Sequence, residues 1–99
     1  MSEVAGIDAI RLSPDDNVAT VLRAVGAGEK LRVQCAGTVT ETKAHDPIPL
    51  CHKVSLGAIP AGGAVVKYGQ KIGESLGPIA AGQHVHVHNM RSARGRVLP

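Results

Sequence analysis

The chain has 99 residues, with 11 basic and 8 acidic side chains, one aromatic residue in Tyr68 and a formal net charge of +3. This length fits one domain and leaves little room for a deep, fully walled cleft. The mild charge and the missing set of stacking aromatics argue against nucleic-acid binding. No apolar run approaches the ~18 residues of a membrane span and no signal-peptide pattern is visible. We therefore expect no membrane contact, a cytoplasmic location and reduced cysteines.

The first third of the chain predicts two strands separated by a short helix. Residues 5–12 predict the first strand. Residues 13–16, Ser-Pro-Asp-Asp, are typical of a helix start, and apolar residues recur after them at helical spacing, which predicts a helix over 16–25. Alternation over 30–35 predicts the second strand, with Cys35 as a small core residue.

The remaining elements are short and interrupted by turns, as 12 glycines and 6 prolines indicate. Polar residues 37–47 predict a loop or a loose hairpin, and the prolines on both sides of Ile48 favour an extended edge segment. Alternation after His52 predicts another strand, and residues 68–70 predict a tight hairpin. The expected fold is mainly β, with short antiparallel strands and one or two short helices.

An internal repeat is the most informative feature of the sequence. Segments 22–31, 56–65 and 76–85 align without gaps on the pattern Leu-x-x-(Ile/Val)-x-Ala-Gly-x-x-(Val/Leu). The Leu and the β-branched residue are one helical turn apart, so we expect a short helical or 3₁₀ turn, which the glycine reverses and a strand follows. The unequal spacing of the copies excludes a solenoid.

Three of the five histidines alternate at His84, His86 and His88. On a strand they would share one face, about 6.5–7 Å apart, and adjacent imidazoles can bind one metal ion. Val85 and Val87 would then face the core. The alternative is a polar strand face that uses histidine without a functional reason.

Three other residues are candidates for catalysis or substrate binding. His52 and Lys53 are expected on opposite faces of an extended segment. His52, together with His86, is the candidate for proton transfer, because the imidazole pKa lies near neutral. Lys53 can pair with a substrate carboxylate; a solvated surface pair is the alternative. Asn89 either orients a substrate or ends the strand by bonding to the backbone.

The order of several short motifs resembles the SAF domain of the altronate and galactarate dehydratase family, and it is similar to the small subunit of sulfolactate sulfo-lyase. The motifs are His52-Lys53-Val54, Ile59-Pro60-Ala61-Gly62, Lys67-Tyr68-Gly69, Ile72-Gly73 and the run from Ala81 to Asn89. The resemblance covers about residues 5–90 and implies a β-clip fold. We therefore expect one domain over 1–90 and a basic tail over 91–99 that carries Arg91, Arg94 and Arg96.

The resemblance implies a lyase that removes water from a sugar acid or hydroxy-acid, or bisulfite from sulfolactate. It also implies a divalent metal, commonly Fe²⁺, with Mn²⁺ and Zn²⁺ as alternatives, bound by this chain or mainly by a partner. β-Elimination needs both a base and an electrophile, and a domain with few acidic residues near its histidines is unsuited to supply both.

We therefore expect a chain that does not catalyse alone but completes the site of a larger catalytic dehydratase subunit. The fused enzymes of the family continue beyond the histidine motif, so a separate small subunit or a free-standing module is expected. A module that binds a sugar acid without catalysis is the main alternative, and a domain for homo-oligomer assembly is another. Cys51 stands where the family pattern has a small residue such as glycine.

Overall fold

The computed structural model describes residues 6–92, which form nine strands and, within that range, no helix. The strands are β1 Ala9–Ile10, β2 Val18–Val21, β3 Lys30–Cys35, β4 Thr38–Lys43, β5 Lys53–Ser55, β6 Ala64–Lys67, β7 Gln70–Ser75, β8 His84–Val85 and β9 Met90–Ser92. They form a six-stranded sheet in the order β4-β3-β1-β2-β5-β8 and a three-stranded sheet in the order β6-β7-β9. The mainly β expectation is confirmed, whereas the short helices are not found in the described residues.

Two apolar clusters form the core, and β2 contributes to both of them. The first cluster consists of residues from the six-stranded sheet and its adjoining turns, and the second joins residues of both sheets. The first contains Ala9, Ala19, Val21, Val25, Leu31, Val33, Ala44, Ile48 and Val54. The second contains Val18, Ile59, Val65, Ile79 and Val85. Each large aliphatic side chain buried in this way stabilises the fold by about 1.5–3 kcal/mol.

The helix predicted over 16–25 is wrong, because this segment contains β2. Val18 belongs to the second core cluster, and Ala19 and Val21 belong to the first, so both faces of the segment are buried. A helix with a single apolar stripe would bury one face only. β2 also pairs with β1 on one side and with β5 on the other. Long-range strand pairing therefore overrides the local helical spacing.

The sequence repeat forms a structural unit, but the expected helical turn is wrong. In every copy a bend precedes a residue that makes an isolated β-bridge, and a tight turn then leads into a strand. The bridging residues are Val25, Ile59 and Ile79. The β-branched residue therefore pairs with another unit instead of packing along a helix. The repeat glycines have positive φ angles, which glycine adopts without steric cost and which close the turn.

A fourth copy of the unit, over residues 45–54, is not visible in the repeat pattern of the sequence. Its Ile48 forms the bridge with Val25, as Ile59 does with Ile79. Cys51 has a φ of 72° and occupies the position that glycine fills in the other copies. This copy departs from the repeat pattern at three positions, with His45, Leu50 and Cys51 in place of Leu, Ala and Gly. The unexpected cysteine before His52 therefore stands at a left-handed turn position.

The four units associate in two reciprocal pairs. In one pair Val21 donates its N–H to the carbonyl of His52 and accepts from the N–H of Cys51. In the other pair Ser55 donates to Gln83 and accepts from Gly82. Each pair also connects through a hairpin with a two-residue turn of positive φ, at 36–37 and at 68–69. The hairpin predicted at 68–70 is confirmed, and residues 37–47 include the second strand of a regular hairpin.

Three smaller expectations differ from the structure. The first strand is limited to β1, and Cys35 is only partly buried at the end of β3. Arg91 lies in β9 rather than in a tail, because β9 pairs with β7. The predicted tail residues Arg94 and Arg96 lie outside the described residues. Within residues 6–92 there is no helix of the length and apolarity that would cross a membrane.

Candidate metal centre

Three histidines meet at the edge of the six-stranded sheet, where β5 pairs with β8. In this antiparallel pair Val54 lies opposite His84. His52 and His86 each lie one residue beyond the Lys53–Val85 pair that ends this ladder, and their rings stack on each other. Alternate residues of a strand share a face, so all three imidazoles lie on the Val54 side of the sheet. We call His52, His84 and His86 the histidine cluster.

The rings of the histidine cluster are in direct contact. The ring centroids of His52 and His86 are 4.0 Å apart, and those of His52 and His84 are 5.1 Å apart. Nδ1 of His52 lies 2.8 Å from Nε2 of His84, in a hydrogen bond whose donor depends on the tautomers. One ring nitrogen from each of the three residues lies within 4.8 Å of the other two. This spacing allows three nitrogens to converge on one ion.

One nitrogen of the histidine cluster has no hydrogen-bond partner among the described residues. Nδ1 of His86 is buried and makes no hydrogen bond within the part of the chain that the structure describes. Buried polar atoms in native proteins are nearly always hydrogen-bonded, and an unpartnered one calls for an explanation. A neutral imidazole nitrogen with a free lone pair is a common metal ligand, so the donor set fits a metal ion.

The surroundings keep two of these imidazoles neutral. Burial is the main cause of the lowered pKa of His84, followed by the charges of His88, His52 and His86, while Asp46 acts in the opposite direction. The pKa of His86 is also lowered, first by burial and then by neighbouring positive charges. Neutral imidazoles at pH 7 offer lone pairs for coordination.

The strand predicted to run through His88 is wrong, because β8 ends at Val85 and residues 86–89 form a bend and a turn. Val85 is buried as expected, whereas Val87 is 74% exposed instead of facing the core. The His88 ring lies 5.0 Å from that of His84 but outside the group of three. The structure therefore brings together a different set from the three alternating histidines. A ligand role for His88 stays a prediction.

Asn89 and Asp46 hold the backbone of the histidine cluster. Asn89 Nδ2 donates to the carbonyl of His84 at 2.8 Å, and Oδ1 accepts from the N–H of His86 at 2.9 Å. Asp46 Oδ2 accepts from the N–H of His84 at 2.9 Å. Asn89 therefore bonds to the backbone at the end of β8, which is one of the two roles that the sequence suggested for it. Its contact with a substrate stays a prediction.

Lys53 lies on the opposite face from the histidine cluster, as predicted. It faces Thr20 of β2 and Val85 of β8 in the strand register. Loss of hydration on partial burial, and then the charge of Lys67, lowers the pKa of the Lys53 ammonium. The hydroxyl of Thr20 is buried without a partner among residues 6–92. Thr20 was not recognisable from the sequence, because a threonine inside a predicted helix carries no sign of its strand neighbour.

Comparison with protein families identifies the domain. The family model of the altronate/galactarate dehydratase SAF domain matches residues 7–93. The chain is 37% identical over 83 residues to the altronate dehydratase of Bacillus subtilis (strain 168). That match covers 84% of this chain but only 16% of the dehydratase, so the chain spans a small part of that relative.

Two shorter relatives are matched over most of their length. The chain is 33% identical over 91 residues to the (2R)-sulfolactate sulfo-lyase subunit alpha of Chromohalobacter salexigens, covering 89% of this chain and 97% of that subunit. The corresponding subunit of Paracoccus pantotrophus is 47% identical over 47 residues, or 48% of this chain and 70% of that subunit. From the family match over nearly its whole length, this chain belongs to the altronate/galactarate dehydratase SAF domain family.

Proposed function

We propose that this chain is the small subunit of a hydroxy-acid lyase, and that it places a metal-binding histidine cluster at the active site of a larger catalytic subunit. The proposed reaction is β-elimination of water from a sugar acid, or of bisulfite from sulfolactate. The single observation that carries the metal site is the convergence of three imidazole nitrogens, one each from His52, His84 and His86, within 4.8 Å of one another.

The ligand chemistry supports a borderline divalent ion such as Fe²⁺ or Zn²⁺. Imidazole nitrogens bind both ions, and Fe²⁺ is the first candidate because the family resemblance implies it. A bound divalent ion acts as a Lewis acid that stabilises negative charge developing on the substrate. Asn89 and Asp46 fix the backbone of His84, and Asn89 also fixes that of His86, so the ligands would be oriented in advance.

The relatives support a partner subunit. Two of them are named as the alpha subunit of a sulfo-lyase, and such a name implies at least one further subunit. In the altronate dehydratase the matched region makes up 16% of a longer chain. Both arrangements combine this domain with additional protein, which would supply the groups for β-elimination that the histidine cluster lacks.

A metal-independent role is the second candidate, and the contact between His52 and His84 favours it. Their 2.8 Å hydrogen bond leaves Nε2 of His52 free to exchange a proton with a substrate. In this case His52 would be the general acid or base, and His84 would set its tautomer. Metal binding by the purified chain separates the two candidates.

We expect the full chain, stripped of metal by a chelator and then dialysed, to bind about one equivalent of Co²⁺ with a ligand-field spectrum typical of nitrogen ligands. His86→Ala and His52→Ala should each weaken the affinity more than about 10-fold, since even the loss of a second-shell partner costs 10–100-fold. Isothermal titration calorimetry with Co²⁺ and Zn²⁺ measures the change.

His45→Ala is the matched control, because His45 is exposed and lies outside the group of three. It should leave the affinity unchanged, and His88→Ala should change it little. If His88→Ala were as damaging as His86→Ala, the ligands would instead be the three alternating histidines. A wild-type chain that binds no Co²⁺ would contradict the metal site and leave the metal-independent role as the remaining candidate.

We expect the tagged chain, purified from its own cell under reducing conditions, to bring a larger protein in a fixed ratio. Native mass spectrometry measures the mass of the complex and any bound metal, and candidate acids can then be assayed on it. Recovery of the chain alone, or only as a homo-oligomer, would contradict the subunit role and favour the module that binds a sugar acid without catalysis.

A further inference from the structure

We propose that Thr20 and Lys53 form a subsite for a small carboxylate or sulfonate anion, on the face of the six-stranded sheet opposite the histidine cluster. The identification of this anion with the acid group of a lyase substrate rests on the proposed function. The anion site itself does not depend on it.

The strand register places the two side chains together. Thr20 of β2 and Lys53 of β5 are directly opposite each other in an antiparallel pair. Directly opposed residues point to the same face and have Cβ atoms about 4.5–5.5 Å apart. Val18 and Val85 of the second core cluster lie on this face as well, so the pair lies at the edge of a buried surface.

The Lys53 ammonium has no counter-charge among residues 6–92. Its side chain is partly buried, yet no acidic side chain and no hydrogen-bond acceptor contacts it in the described range. The other positive charge nearby is Lys67, whose Nζ lies 5.1 Å from the Tyr68 ring centroid. A cation withdrawn from water without a partner is unfavourable unless an anion approaches it.

The Thr20 hydroxyl is a second polar group without a partner in the described part of the chain. Its Oγ1 is buried and makes no hydrogen bond within residues 6–92. An unsatisfied buried hydroxyl is destabilising, and native proteins contain few of them. Because Thr20 and Lys53 are neighbours across two strands, one ligand can satisfy both groups.

The unpartnered groups determine the chemical class of that ligand. An ammonium offers donors only, and a hydroxyl can donate as well. The complementary group is an oxygen anion that accepts two hydrogen bonds, which a carboxylate or sulfonate provides.

The test uses the metal-free, ¹⁵N-labelled full chain and two matched probes, glycerate and glycerol. Glycerate should shift the amide signals of Thr20 and Lys53 with saturation in the millimolar range, whereas glycerol should not. Lys53→Met and Thr20→Val should each weaken glycerate binding at least fivefold. Lys30→Met, at an exposed lysine of β3, should leave it unchanged.

A second readout on Thr20→Val separates a binding role from a structural one. Replacing an unpartnered buried hydroxyl by a methyl group should raise the Tm of the ligand-free chain by about 4–8 °C, while glycerate binding weakens. The proposal is overturned if Thr20→Val lowers the Tm, if glycerol produces the same shifts as glycerate, or if Lys53→Met binds glycerate like wild type.

The absence of metal and partner keeps this test independent of the proposed function. A chain that binds glycerate through Thr20 and Lys53 but binds no Co²⁺ would refute the metal site alone. A chain that binds Co²⁺ through the histidine cluster but does not respond to glycerate would refute the anion subsite alone.

Discussion

Gly82→Ala is expected to destabilise the domain by about 2–5 kcal/mol, the sum of a left-handed backbone penalty and an overpacking penalty. Gly82 has a φ of +87°, and a Cβ there would overlap the carbonyl oxygen of Lys43 and lie 2.6 Å from Cδ2 of His45. The N–H of His45 also bonds to the carbonyl of Gly82 at 2.8 Å, which prevents the two segments from separating easily. Urea unfolding followed by far-ultraviolet circular dichroism measures the loss.

Alanine variants of two other glycines separate the backbone penalty from the overpacking penalty. Gly62 has a φ of +76° but nothing within 4 Å of a Cβ, so Gly62→Ala should cost only about 1–2 kcal/mol. Gly77 has neither a positive φ nor a neighbour within 4 Å, and Gly77→Ala should be nearly neutral. Equal stability of the Gly82→Ala and Gly77→Ala variants would contradict the close approach of Gly82 to the backbone and side chain of residues 43–45.

Asp16→Ala is expected to cost about 3–5 kcal/mol, because three hydrogen bonds to a buried carboxylate are lost together. Asp16 is 2% exposed. Its Oδ2 accepts from the N–H groups of Ser13 and Tyr68, each at 3.1 Å, and its Oδ1 accepts from Gly69 at 2.8 Å. This side chain therefore ties the β6–β7 hairpin to the turn before β2. Urea unfolding gives the loss of stability.

Asp16→Asn tests whether two acceptor oxygens are required. The amide keeps the shape but presents an NH₂ group to at least one N–H donor, so it should be nearly as damaging as alanine. Asp15→Asn, at the exposed neighbouring position, is the control and should be neutral. Hydrogen exchange of the Tyr68 and Gly69 amides should accelerate in both Asp16 variants. Unchanged protection would mean that the hairpin is held elsewhere.

The sequence alone predicted the structure correctly where that structure depends on residues close together in the chain. Alternation over 30–35 predicted β3, and Tyr68-Gly69 predicted the hairpin between β6 and β7. Both features arise from local preferences, namely the alternation of apolar and polar residues and a two-residue turn of positive φ. The repeat and the family resemblance were equally accessible, because they are properties of the order of residues.

The sequence was misleading where a segment is buried on two sides. The apolar residues of 16–25 recur at helical spacing, yet β2 lies between two core clusters and two partner strands. The same holds for the fourth repeat unit, whose partner across the bridge from Ile48 is Val25. Such burial depends on residues distant in the chain, which no local period can reveal.

For the candidate site too, the sequence identified candidate residues, whereas their contacts depend on the tertiary structure. By itself the sequence determined a small β-rich domain of the SAF type, with His52, Lys53 and the alternating histidines as candidates. Only the tertiary structure decided that His52 joins His84 and His86, and that Lys53 faces Thr20 on the other side of the sheet. The physical reason is the β5–β8 and β2–β5 registers: strand pairing selects which side chains meet, and the chain turns away after Val85, before His88 can align.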